Sequence, residues 1–96
     1  MHKTPAPMFN KNRLKLGTFS ANCSGGMAVT KVAERWNNDW TNNLDLVKQC
    51  DDAGIEFMLP IARWIGSGGE TDFHGTVLET VTWAAGLAAH SQNLQV

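Results

Sequence analysis

The run Ile55-Glu56-Phe57-Met58-Leu59-Pro60-Ile61 constrains this chain more than any other stretch. It is mostly apolar, follows a helix stop at Gly54 and precedes a glycine-bearing loop, which is the pattern of a buried strand. Helical periodicity lies on either side of it. Upstream, the spacing predicts a helix over 39–53, with Trp40, Leu44 and Val47 on one face and Leu46, Cys50 and Ala53 widening that face. Asp39 or Thr41 can cap its start, and Gly54 sits where a left-handed C-terminal cap belongs. Downstream, Thr76-x-x-Glu79 has the capping-box spacing. Leu78, Val81, Ala85 and Ala88 then mark one stripe of a helix ending near His90. Gly86 and the alanines around it leave little bulk, which suits close packing on a sheet.

Two shorter segments complete the order. Leu14 to Phe19 alternates apolar and polar residues, as a strand does, and Asn93-Leu94-Gln95-Val96 reads as the opening of a third strand. Loops are expected over 20–38, where Gly25-Gly26 is a strong breaker, and over 62–75. Strand–helix–strand–helix–strand implies a parallel sheet with right-handed crossovers. Two full parallel strands with helices on one face leave the other face and both edges open, whereas parallel sheets are normally covered on both faces. A closed barrel of eight such units needs about 250 residues, of which 96 supply the opening part.

Charge and cysteine content exclude several classes. Residues 1–33 hold no Asp or Glu and five basic side chains, while 34–96 hold all nine acidic groups against three basic ones. The basic residues are too sparse for a nucleic-acid stripe and lack interleaved aromatics, so they read as a solvated tail. No apolar run approaches the roughly 18 residues that span a bilayer, and Met1 to Pro7 has no apolar segment behind it. Cys23 and Cys50 therefore read as reduced thiols of a cytoplasmic protein. No His/Cys/Asp spacing suggests a metal site, and no Gly-x-Ser-x-Gly elbow is present.

Residues 54–89 carry a recognisable pattern. Gly54-Ile55-Glu56-Phe57-Met58-Leu59-Pro60-Ile61-Ala62-Arg63-Trp64 runs into Gly66-x-Gly68-Gly69-Glu70-Thr71-Asp72-Phe73, then Leu78-Glu79-Thr80-x-Thr82-Trp83-Ala84-Ala85-Gly86-Leu87-Ala88-Ala89. This is similar to the luciferase-like flavin-dependent monooxygenases, in the branch that includes dimethyl sulfone and pyrimidine monooxygenases. The stretch Asn22-Cys23-Ser24-Gly25-Gly26, with Glu34-Arg35-Trp36, resembles the sulfone branch more closely.

The resemblance implies an α/β fold: the N-terminal β-α-β-α-(β) portion of a TIM (β/α)8 barrel, incomplete. Residues 1–13 then form a flexible leader and 14–96 a partial barrel domain. It implies that reduced FMN binds at the C-terminal ends of the strands and is supplied by a separate NAD(P)H-dependent flavin reductase. Oxygen then gives a peroxyflavin that oxidises a small organic substrate, here an organosulfur compound such as a sulfone. In full-length form a homo-oligomer is expected, without nucleic-acid or membrane partners. Alternatives are a truncated chain without catalysis, a small self-associating module that uses its exposed parallel edge, and a relative that uses a deazaflavin.

Carried over by position, Ala62 and Arg63 match two FMN-contacting residues of the pyrimidine branch, while the family's later flavin contacts lie beyond Val96. Arg63 follows a strand at the end where barrel chemistry is located, and its guanidinium can donate to flavin oxygens or pair with Glu70 or Asp72. Trp64 either walls the flavin or substrate pocket or packs at the barrel rim. Asn22, after the first strand, is a further candidate for the substrate pocket. His74 is a candidate proton donor or a helix-entry residue. Gly66-x-Gly68-Gly69 could cradle a phosphate through its amides, though a flexible turn shaping the site is the plainer reading.

Overall fold

The computed structural model describes residues 7–96. Residues 1–6 of the expected leader lie outside the described part. A 3-10 turn spans Pro7–Phe9, and Asn12 Nδ2 donates to Glu56 Oε1 at 3.0 Å. Four elements follow: β1 (Gly17–Phe19), α1 (Trp40–Ala53), β2 (Phe57–Leu59) and α2 (Thr80–Ala89).

The strands are parallel, in the register Gly17↔Phe57, Thr18↔Met58, Phe19↔Leu59. Both are shorter than the spacing predicted. Pro60 has no N–H to continue the ladder, and β1 has a partner on one side only among the described residues. Backbone bonds extend the pair slightly, Glu56 N donating to Leu16 O at 2.8 Å and Ser20 N to Leu59 O at 2.9 Å. The expected third strand is present as one parallel bridge, Phe57↔Gln95, with Met58 N donating to Gln95 O at 2.9 Å and Gln95 N to Glu56 O at 3.0 Å.

Alternation along the strands sends Thr18 and Met58 to one face and Phe19 and Leu59 to the other. On the first face Met58 joins Val47 and Cys50 of α1 and Trp83 and Leu87 of α2 in one core. Among the described residues no helix covers the second face, and Phe19 and Leu59 remain 48% and 52% exposed.

In α1 the expected Val47 and Cys50 are buried and Leu44 and Leu46 pack against the core, but in other positions the helices differ from expectation. In α1 the buried stripe is Asn43, Val47 and Cys50, while Trp40 lies at its margin. Asn43 enters the core because its carboxamide is satisfied there: Nδ2 donates to Asn38 O and Asp39 O, and Oδ1 accepts from Trp83 Nε1. In α2, Trp83 and Leu87 face inward and Val81 is 73% exposed. Of the predicted stripe, Leu78 packs against the core just ahead of the helix, whereas Val81, Ala85 and Ala88 bury too little surface to compete with the bulky residues. Gly86 packs against the Trp40 ring of α1, not against the sheet.

Gly54 closes α1 at φ 81° in the left-handed region, where a side chain would be strained. The start of α2 departs from the capping box. Residues 22–24 and 76–78 are drawn together as antiparallel backbone, with the bridge Cys23↔Val77, Ser24 N donating to Thr76 O and Leu78 N to Asn22 O, each at 2.8 Å. Thr76 is thereby held outside the helix. Glu79 takes the cap position instead, its carboxylate accepting from the Val81 and Thr82 amides.

Candidate functional site

Beyond the C-terminal ends of β1 and β2, segments 62–66 and 74–80 face one another across an open cleft of about 820 Å³. The cleft lies there because the chain leaves β2 at Pro60 while the antiparallel tie to 22–24 holds residues 76–78 opposite. Ala62, Arg63, Trp64 and His74 all line it. One wall presents Trp64, 97% exposed, and Ile65 beside it. The other carries Val77, Leu78 and the hydroxyls of Thr76 and Thr80.

Arg63 is the sole cationic side chain of the lining. Among the described residues it makes no ion pair: Glu70 pairs with Lys31 at 3.4 Å, and the Asp72 carboxylate lies against Gly75. Its guanidinium is thus available to an electron-rich ligand. Arg63 also projects positive charge onto Cys23. Burial pushes the Cys23 thiol up, opposed by its bond with Ser20 and by the Arg63 charge. Cys50 is likewise pushed up by burial, so both sulfurs are thiols at neutral pH.

His74 is buried, its ring stacked on Phe73 with centroids 3.8 Å apart. Nε2 lies 2.7 Å from Gly26 O and 3.3 Å from Ser20 Oγ. A carbonyl only accepts, so Nε2 carries a hydrogen and donates it to Gly26 O. Nδ1 is buried without a partner among the described residues. The Nε2–H therefore points at the 20–26 loop and not at the cleft. Ser20 and His74, at φ 72° and 58°, both occupy left-handed backbone and converge on Gly26 O.

Within the glycine segment Gly66 serves packing, while Gly68 and Gly69 occupy left-handed backbone in the turn. A Cβ on Gly66 would fall 2.3 Å from the His74 carbonyl oxygen, a closeness only glycine permits. The loop beyond closes on itself, with Ser67 N donating to Phe73 O at 3.0 Å and Asp72 N to Gly69 O at 3.2 Å. These two amides are spent within the loop and do not form a phosphate cradle.

Asn22 is fully buried and absent from the cleft surface. Its carboxamide braces the walls from behind, donating from Nδ2 to Ile61 O and Leu78 O and accepting from Ile61 N. Asn38, which the sequence did not single out, adds a second brace from Nδ2 to Asn22 O and Thr76 O, both at 2.9 Å. Asn22 stood out in the sequence only as a candidate for the substrate pocket, and nothing in the sequence pointed to Asn38. No cluster of His, Cys, Asp or Glu among the described residues could hold a metal ion. No helix among them is long and apolar enough to cross a membrane.

No family model matches the chain. Curated relatives do. It is 29% identical over 83 residues to the pyrimidine monooxygenase RutA of Acinetobacter baylyi, a span covering 86% of this chain and 22% of the relative. The RutA of a Caulobacter species is 26% identical over 86% of this chain and 23% of its own length. That of Methylorubrum populi is 25% identical over 87 residues, 91% of this chain and 23% of the relative. The likeness to luciferase-like monooxygenases read from residues 54–89 is thus borne out on the pyrimidine side, and the chain spans about a quarter of the length of the curated relatives it matches.

Proposed function

We propose that this chain forms the opening portion of a (β/α)8 barrel whose cleft holds the flavin of a reduced-FMN-dependent monooxygenase. The observation that carries this reading is Arg63, unpaired among the described residues, in a cleft just beyond the strand ends where barrel enzymes place their chemistry. The residues fit the group. The volume is in the range of small-ligand sites. Trp64 and Ile65 offer apolar surface to a planar ring, and Arg63 offers a guanidinium to a ring that becomes anionic on reduction.

Reduced FMN, when bound, supplies the electrons that activate O2. The chain's own residues hold and shelter it. Ala62 and Arg63 would hold the flavin, Arg63 would balance the negative charge of its reduced ring, and Trp64 and Ile65 would offer it apolar surface. A separate NAD(P)H-dependent flavin reductase is the matching source of reduced FMN.

Two substrate classes have support. The names of the relatives favour a pyrimidine. The Asn22-Cys23-Ser24-Gly25-Gly26 stretch favours a small sulfone, although Asn22 and Cys23 are buried behind the cleft wall.

Anaerobic titration of the chain with photoreduced FMN tests the reading. Saturable binding is expected, at least tenfold weaker in Arg63→Ala. Equal affinity in the variant removes Arg63 from the site, and no saturable binding by the wild-type chain overturns the flavin assignment. Uracil and dimethyl sulfone, added in turn, separate the substrate classes by which one perturbs the bound-flavin spectrum.

A further inference from the structure

We infer that Asn22 is a positioning residue of this cleft, one buried carboxamide that fixes both walls in place. Nδ2 donates to Ile61 O at 2.9 Å and to Leu78 O at 3.0 Å, and Oδ1 accepts from Ile61 N at 3.0 Å. Ile61 is therefore gripped at its N–H and its C=O, immediately before Ala62 and Arg63. Leu78 belongs to the opposite wall. No hydrogen bond among the described residues joins 61–66 directly to 74–80; apart from the Ser67 N to Phe73 O bond of the connecting loop, the polar connection between the walls runs through Asn22.

The main chain of Asn22 reinforces the brace. Its carbonyl accepts from Leu78 N at 2.8 Å and from Asn38 Nδ2 at 2.9 Å. The far wall is thus tied to both the backbone and the side chain of Asn22, and the near wall to its side chain alone. That asymmetry makes the side chain the adjustable part of the site. Aspartate loses both donors and sets a carboxylate against two carbonyl oxygens, and alanine leaves all three Ile61 and Leu78 groups without their partner. Asn22 touches no ligand and acts through the placement of Ala62 and Arg63, and in this respect the inference rests on the flavin reading.

The test compares the wild-type chain with Asn22→Ala and Asn22→Asp. Two readouts separate positioning from mere support of folding. In the FMN titration, positioning raises Kd tenfold or more with one site per folded chain retained and the circular dichroism of the bound flavin changed. A supporting role instead lowers the number of sites at unchanged Kd and spectrum, and that result overturns the inference. The second readout needs no flavin. In Asn22→Ala, hydrogen exchange at the Ile61 amide is expected to accelerate at least tenfold while the Leu78 amide, bonded to the Asn22 carbonyl, keeps its protection. Unchanged protection at Ile61 overturns the inference whatever the flavin result. Selective loss at Ile61 in a chain that binds no FMN sustains the brace and removes the flavin reading. If Asn22→Ala does not fold, Asn22→Ser carries both readouts.

Discussion

The indole Nε1 of Trp83 donates to the buried Oδ1 of Asn43 at 2.8 Å, and this bond locks α2 to α1. Both residues are inaccessible, and the Asn43 Nδ2 group is used on the Asn38 and Asp39 carbonyls at the start of α1. One asparagine therefore finishes its own helix and docks the next. Asn43→Ala strands the indole N–H in the core and is expected to destabilise the chain by about 2–3 kcal/mol, near the upper end for a buried unsatisfied donor. Trp83→Phe frees only the acceptor and removes part of a ring, so it too destabilises. Because the two share one bond, the double variant should lose less than the sum of the singles. Chemical unfolding of the four proteins measures this, and strict additivity would show that the bond contributes nothing.

The same pair shows where sequence reading stops. The element order was legible because periodicity is a direct record of which faces meet water. Helix α1, expected over 39–53, is observed at Trp40–Ala53 with its left-handed cap at Gly54. The parallel pairing followed from that order. Asn43 was passed over because a carboxamide enters a core only if distant partners satisfy it, and those partners are invisible along the chain. In α2 the alanines spread hydrophobicity around the helix, so only the bulk of Trp83 and Leu87 fixes the inward face. Ala62, Arg63, Trp64 and His74 were legible as a group because each flanks the loop that follows β2. The role of Asn22 was not, since its partners lie 39 and 56 residues away and are backbone atoms, which every residue possesses.

Acidification should unfold the chain through two carboxylates. The Leu16 amide, with help from the Asn12 carboxamide, holds Glu56 below its ordinary value of 4.5. The Val81 amide, then that of Thr82, does the same for Glu79 at the start of α2. A carboxyl that titrates lower when folded stabilises the chain above its unfolded value, and that contribution is lost as pH falls through the folded one. Thermal midpoints should therefore hold near neutral pH and decline from about pH 4.5 downward. Glu56→Gln is expected to lower the neutral midpoint and flatten the acid limb, because its amide does not titrate. An acid limb as steep in Glu56→Gln as in the wild-type chain would show that Glu56 has no part in it.

Asp51 sets the register of the last strand segment. Its Oδ2 accepts from Gln92 N, and its Oδ1 accepts from Asn93 N and Leu94 N, each at 2.9 Å. One carboxylate on α1 thus gathers three consecutive amides that α2 has left behind, and it delivers Gln95 to β2. There Gln95 N donates to Glu56 O and Met58 N to Gln95 O. Asp51→Ala releases the turn and should cost about 1.5–3 kcal/mol, the range for hydrogen bonds to a charged group. The local effect should exceed the global one. Exchange at the Gln95 amide is expected to quicken at least tenfold, while the Leu87 amide inside α2 follows only the change in overall stability. Asp51→Asn keeps one acceptor oxygen and should fall between the two. Equal acceleration at Gln95 and Leu87 would mean that Asp51 stabilises the fold as a whole and does not guide the third strand.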